Sequence, residues 1–282
     1  MALKLHDDLA EIIKDTSPDD RITNLLWAIL KYNYRINIAA HLRHDAMRRE
    51  MASALHQNPQ IAHAVTEAIR RRADPARLKW IEDCRIQRTW IEQKLSGNPI
   101  VTSELARHLS NKEVSSLIID FHDAQQISIR TIAQTLHSEW EQQEKEDRKF
   151  DWFKQDEEET KCEFAWDFLR KKNYSLGLLT EKFSNIEDLL VYVYTNKPSE
   201  DTIELLLKNA KSRWSQKEYR RKNAEKKQCN LILSKNAINR LKNLADKYDV
   251  SQAKIIEILL KMEDEEGAYI PKRIKALMDD QP

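Results

Sequence analysis

The sequence predicts a mainly α-helical protein with one short β-strand per chain, and three observations lead to this fold class. Glycine (3 of 282 residues) and proline (7) are scarce, and both are costly in helix interiors. Apolar residues recur with helical spacing, as at Leu25, Leu26, Ile29 and Leu30. One short stretch, residues 228–233, instead places its side chains alternately on two different faces, as a strand does.

Charge and chain breakers divide the sequence into four parts. Residues 139–163 contain eleven acids and five bases, whereas residues 205–227 contain nine bases and two acids. The overall net charge of +1 therefore conceals two strongly charged segments of opposite sign. We expect an all-helical domain of unknown role (1–138), an acidic connector (139–160), a helical bundle (161–225), and a strand followed by two helices and a short tail (226–282).

Several classes of protein are excluded by what the sequence lacks. It has no apolar run long enough to predict a membrane-spanning helix, and its three cysteines are scattered, which favours a reducing cytoplasm. No glycine-rich phosphate loop, nucleophile with its base, or paired-cysteine metal motif is evident. We predict no catalytic residue, no metal site and no cofactor, and hence a protein that is not an enzyme.

The strand and the two helices after it carry the strongest functional signal. Ser234 is a suitable N-cap for the first helix and Ser251 for the second. A single short strand has an unpaired edge and is unstable alone. We therefore expect two chains to pair their strands across a homodimer, giving a two-stranded ribbon that fits the major groove of double-stranded DNA.

Two groups of residues within this segment are expected to contact DNA. Cys229, Leu231 and Leu233 would face the helices, so that Gln228, Asn230 and Ile232 face outward to the bases. The N-terminus of the second helix, at Ser251, is a suitable phosphate anchor because its amide groups and dipole favour anions. The basic run before the strand, which includes Lys226 and Lys227, would add contacts to the DNA backbone.

The run from Lys226 to Leu260 resembles ribbon-helix-helix repressors of the CopG/Arc type. Upstream, the motif Phe164-Ala165-Trp166-Asp167-Phe168-Leu169-Arg170-Lys171-Lys172 and the basic helix look like the MatP family, which organises the terminus region of bacterial chromosomes. The likeness covers about residues 160–270. It implies base reading by Gln228, Asn230 and Ile232, and backbone contacts from Lys211, Arg213, Lys217, Arg220, Arg221 and Lys222.

The resemblance implies a nucleoid-associated protein that binds a palindromic DNA site as a dimer. It leaves open whether binding serves DNA organisation or transcriptional repression. It also covers none of residues 1–138, so an alternative stays open. In that alternative the N-terminal helical domain recruits a protein partner, and the C-terminal module serves targeting or autoregulation.

Overall fold

The computed structural model describes residues 8–13, 19–40, 44–125, 132–172, 182–224 and 229–279. The chain divides into two compact units, Met1–Arg220 and Arg221–Pro282, called unit 1 and unit 2 below. Regular structure in the described ranges is helical, and none of these helices is long and apolar enough to cross a membrane.

Unit 1 contains the first ten α-helices of the described chain, the last of which runs two residues beyond the unit boundary. They are α1 (Asp8–Ile12), α2 (Asp20–Ala28), α3 (His44–Gln57), α4 (Pro59–Arg70), α5 (Arg85–Lys94), α6 (Asn111–Gln125), α7 (Ile132–Asp147), α8 (Glu158–Lys171), α9 (Ile186–Asn196) and α10 (Glu200–Lys222). A π-helical turn (Ile29–Asn33) continues α2, and 3-10 turns lie at Pro75–Leu78, Leu105–Arg107 and Arg148–Lys154.

A buried ion pair fixes the centre of the first half of unit 1. Arg21 on α2 donates from Nε and Nη2 to the two carboxylate oxygens of Asp120 on α6, at 2.6 and 2.7 Å. Its Nη2 also donates to the carbonyl of Ala73 at 2.7 Å, and the amide of Ala73 donates to Asp120. Asp120 is fully buried, so this network satisfies a charge that would otherwise be very costly to desolvate.

Unit 1 has two apolar cores that are joined by contacts between distant helices. The first core lies mainly among α2 to α7, and the second lies around α8, α9 and α10. Helix α5 packs on α9, and Arg85 pairs with Asp188 at 2.9 Å. The segment expected to be an acidic connector holds the end of α7 and the 3-10 turn at Arg148–Lys154, whose Phe150 and Phe153 are buried in the second core.

The contact between α7 and α9 includes a buried polar pair. The hydroxyl of Tyr194 donates to the carboxylate of Asp147, which also accepts from Gln143 Nε2 at 3.0 Å. Burial raises the pKa of Asp147, although these hydrogen bonds oppose the shift. Burial, together with the adjacent carboxylate, also raises the pKa of Tyr194.

We expect Asp147→Asn to alter the pH dependence of the free energy of unfolding in a defined direction. Because the pKa of Asp147 is raised on folding, its contribution to stability is fully present below the unfolded pKa and is lost as the pH rises through the folded pKa. Asparagine keeps an acceptor for Tyr194 but does not titrate. Urea denaturation of both proteins from pH 3 to pH 7 should show wild type losing stability relative to the variant. A relative gain with pH would contradict this assignment.

The ammonium group of Lys161 holds α8 against α10 and the preceding 3-10 turn. Its Nζ lies 4.9 Å from the ring centre of Trp152 and 4.9 Å from that of Trp214, and it donates to the carbonyl of Trp152 at 3.3 Å. The lysine is only 2% exposed. Two indole faces and one carbonyl therefore replace much of the water that a charged amine requires.

We expect Trp214→Ala to lower the free energy of unfolding by about 3 kcal/mol, because it removes partly buried aromatic surface and uncovers a buried cation. Lys161→Met removes the charge and keeps the volume of the stem, so it should cost less than about 1.5 kcal/mol. Urea denaturation followed by circular dichroism measures both. If the methionine variant is as unstable as the alanine variant, the indoles do not act by covering the charge.

Unit 2 contains α11 (Lys235–Tyr248), α12 (Gln252–Glu266) and α13 (Ile270–Asp279). Ser234 and Ser251 are the N-caps of α11 and α12, as predicted, and their hydroxyls accept from backbone amides at 3.2 Å. Helix α12 ends at Glu266 and is followed by the C-cap residue Gly267, whose φ of +55° favours glycine. The carboxylate of Glu263 then accepts from the amides of Tyr269 and Ile270, which fixes the start of α13.

The fold class predicted from the sequence is wrong in one respect. The helical class is confirmed, but no β-strand occurs in the part of the chain that the structure describes, and residues 229–234 form neither strand nor helix. A strand requires a neighbour that supplies ladder hydrogen bonds, and the elements described on either side of this segment are helices. The alternating pattern at Cys229, Leu231 and Leu233 therefore does not give a ribbon strand.

Candidate nucleic-acid interface

The structure places six of the predicted backbone-contacting residues along the C-terminal half of α10. We call these the basic end of α10; they are Lys211, Arg213, Lys217, Arg220, Arg221 and Lys222. Lys211, Arg220, Arg221 and Lys222 are exposed, whereas Arg213 and Lys217 are partly buried. Lys226, Lys227 and Gln228 lie outside the described residues.

Two of these cations interact with side chains of α8 and of the residue before it. The guanidinium of Arg213 lies 4.5 Å from the ring centre of Phe164 and donates from Nη2 to Asp167 Oδ2 at 3.0 Å. Lys217 Nζ pairs with the carboxylate of Glu157 and lies 3.4 Å from Thr160 Oγ1. Both interactions lie within unit 1, and nothing in the local sequence pattern predicts either of them.

A cavity of about 340 Å³ lies between α8 and the basic end of α10. Its lining combines three cations, one amide and one aromatic ring, from Arg213, Lys217, Arg220, Gln216 and Phe164. Two of the cations bear guanidinium groups, which present several N–H donors in a planar fork. The described residues of the lining include no carboxylate, although Asp167 and Glu157 pair with two of its cations from beside the cavity. The remaining N–H donors of the two guanidinium groups suit an anion such as a phosphate group.

The residues predicted to read bases lie in the irregular segment before α11. Asn230 is exposed, and Ile232 has no contact that shields it from solvent, with a relative exposure of 103%. Leu231 and Leu233, on the alternate positions, line an apolar cavity in unit 2. Every described residue of this segment is exposed, including Cys229 and Leu231, which were expected to face the helices. Exposure therefore does not separate the two predicted faces, and base reading by Asn230 and Ile232 stays a prediction.

Unit 2 exposes an unusually large number of apolar side chains, which we call the apolar face. The face surrounds a cavity of about 550 Å³ and consists of Leu231, Leu233, Leu241, Leu244, Ile256, Leu259, Leu260, Met262, Tyr269 and Ile270. Leu260 is 63% exposed and Tyr269 is 73% exposed. Tyr269 and Ile270 lie at the start of α13, so the tail enlarges this face, which the sequence interpretation did not anticipate.

Ser251 occupies the position that the phosphate-anchor interpretation requires, at the N-terminus of α12. Its hydroxyl accepts from the amide of Lys254, and the residue is exposed. The capping role is a local structural one, and an anchoring role for Ser251 stays a prediction.

Comparisons of the chain with protein-family models, with curated proteins and with solved structures give no match.

Proposed function

We propose that the protein binds double-stranded DNA in a sequence-specific way as a homodimer assembled through the apolar face of unit 2. The observation that carries this proposal is the pairing of a large exposed apolar face with an adjacent run of cations in the sequence. The resemblance to the MatP family and to the CopG/Arc repressors implies the same combination of dimerisation and DNA binding. DNA organisation and transcriptional repression are both compatible with it.

The first argument concerns the stability of unit 2. Among its described side chains, Ala245 and Ile255 are the buried apolar ones, which is a very small core for about 60 residues. Domains of this size are marginal even with a complete core. Burial of the apolar face against another surface would supply the missing hydrophobic stabilisation.

The second argument favours a second copy of the chain as that other surface. Contiguous apolar patches above a few hundred Å² are rare on monomeric proteins and mark interaction sites. The apolar face spans the segment before α11, both helices of the pair, and the start of α13. If two copies pack face to face about a two-fold axis, the same apolar residues become buried in both chains. A standard interface buries only about 800 Å² of each partner.

The third argument concerns charge. Residues 205–227 carry a net charge of +7, and four residues of the basic end of α10 are exposed to solvent. Each phosphate that a protein neutralises releases condensed counterions from DNA, which favours binding at low salt. In a dimer this run is present twice, so the electrostatic attraction to DNA is doubled.

The fourth argument concerns specificity. Asn230 and Ile232 are exposed in the segment that precedes α11. Asparagine can make paired hydrogen bonds to adenine, and an aliphatic side chain can contact the methyl group of thymine. The arrangement therefore supports preference for a site over random DNA.

Selection of bound duplexes from a random DNA pool tests the proposal. We expect a palindromic sequence to be enriched, because a symmetric dimer presents its reading residues twice. The affinity for that duplex should fall steeply with salt, by about 0.9 log unit per log unit of salt for each phosphate contact. Failure to enrich any sequence, together with weak binding at low salt, would refute the proposed function.

We expect two substitutions to separate site reading from backbone binding. Asn230→Ala should lose about 1–3 kcal/mol of discrimination between the selected duplex and a scrambled one. Arg221→Ala should weaken both duplexes similarly and reduce the salt slope by about 0.9. Titrations by fluorescence anisotropy at several salt concentrations measure both, with Arg107→Ala, an exposed arginine outside the basic end of α10, as the control. Equal effects of the first two variants would contradict the assigned roles.

We expect Leu260→Lys to prevent dimerisation, because it places a charge within the apolar face. Sedimentation velocity at micromolar concentration should show a monomer, and affinity for the selected duplex should fall by at least about tenfold once avidity between two half-sites is lost. Leu205→Lys is the matched control, since Leu205 on α10 is also about half exposed but lies outside the face. A dimeric Leu260→Lys variant, or a monomeric wild type, would contradict the proposed interface.

A further inference from the structure

We infer that Phe164 and Asp167 are positioning residues that hold the Arg213 guanidinium ready to bind a DNA phosphate in the cavity at the basic end of α10. The inference rests on the proposed function, and it adds a role for two residues that carry no positive charge. It predicts that removing a negative charge beside a DNA-binding surface weakens binding, which is opposite to the effect expected from charge alone.

The geometry fixes the guanidinium on two sides. Phe164 supplies an aromatic surface 4.5 Å from the guanidinium carbon, and Asp167 accepts one hydrogen bond from Nη2. Arginine has five N–H donors, and the hydrogen bond to Asp167 uses one of them. The Arg213 side chain is 32% exposed to solvent, and it lines the cavity beside Lys217 and Arg220.

This restraint has an energetic consequence for binding. An unrestrained arginine loses rotamer freedom when it contacts a phosphate, and that loss weakens binding by about two- to tenfold per side chain. Arg213 has already lost much of this freedom in the protein alone, because the ring and the carboxylate define its position. Preorganisation of this kind improves affinity without adding a contact.

The carboxylate of Asp167 also has an opposing effect on DNA binding. A negative charge near phosphates repels them, and for an exposed acid with no positioning role its removal should strengthen binding. Glu163 on the same helix is the matched acid, because the cation it pairs with, Lys182 at 2.6 Å, does not line the cavity, and neither does Glu163 itself. Removal of the carboxylate is therefore expected to weaken DNA binding at Asp167 and to leave it unchanged or strengthen it at Glu163.

The decisive experiment compares Asp167→Ala with Glu163→Ala in the full chain, using the duplex selected above. We expect Asp167→Ala to weaken binding about two- to tenfold and Glu163→Ala to leave it unchanged or slightly stronger. Phe164→Leu, which keeps an apolar side chain against the second core, should also weaken binding. Asp167→Asn keeps an acceptor and should restore part of the loss.

Two further measurements separate positioning from general structural damage. In an Arg213→Ala background, Asp167→Ala should no longer weaken binding, because both residues act through the same guanidinium. The salt slope should stay unchanged in Asp167→Ala, since the phosphate contact is still made, but should fall by about 0.9 in Arg213→Ala. Tighter or unchanged binding by Asp167→Ala would overturn the inference while leaving DNA binding itself established.

A measurement without DNA keeps the inference testable if the proposed function fails. In the NMR spectrum of the free protein, the Nε–H signal of Arg213 should be resolved from those of exposed arginines because its exchange and rotation are restrained. The signal should merge with the others in Asp167→Ala and in Phe164→Leu. A wild-type Arg213 signal that is averaged with those of exposed arginines would overturn the inference whether or not the protein binds DNA.

Discussion

The geometry of the basic end of α10 depends on the burial of one lysine. Lys161 is held between the indole rings of Trp152 and Trp214, with its ammonium on the carbonyl of Trp152. Because Trp214 belongs to α10 and Lys161 to α8, this contact fixes the register of the two helices. A shift of α10 by one residue would rotate it by about 100° and would move Arg213 away from Asp167. This buried cation thus acts together with Ile203, Leu206 and Ala210, which α10 buries in the second core, to set where the exposed cations lie.

The two units differ in how much apolar surface they bury within one chain. Unit 1 joins its two cores through helices that are distant in sequence, such as α5 and α9, and it satisfies buried charge internally, as at Arg21 and Asp120. Unit 2 has well-capped helices but little core within one chain. Its local structure is therefore specified by Ser234, Ser251 and Glu263, whereas Ala245 and Ile255 are the buried apolar residues among its described side chains.

Local signals in the sequence were sufficient for many helices and insufficient for contacts between them. Ser234 and Ser251 marked the starts of α11 and α12, because capping acts within one helical turn. The predicted strand at residues 228–233 failed because pairing is a non-local property that side-chain alternation cannot establish. The contacts of Asp167 and Glu157 with α10 were not predicted either, since they follow from helix register across 46 and 60 positions.

The acidic segment and the basic helix are best understood as one electrostatic system. A run of nine cations in 23 residues repels itself in the free protein, and carboxylates from the acidic segment reduce that repulsion where Glu157 meets Lys217. Surface ion pairs contribute at most about 1 kcal/mol each, so they are weak enough for a phosphate to replace them. Because these ion pairs add so little to the stability of the fold, their main effect is to hold the cation in a defined position. An acid that pairs with a cation can therefore lower the net attraction to DNA and still improve binding, provided that it leaves the cation in the position that a phosphate requires.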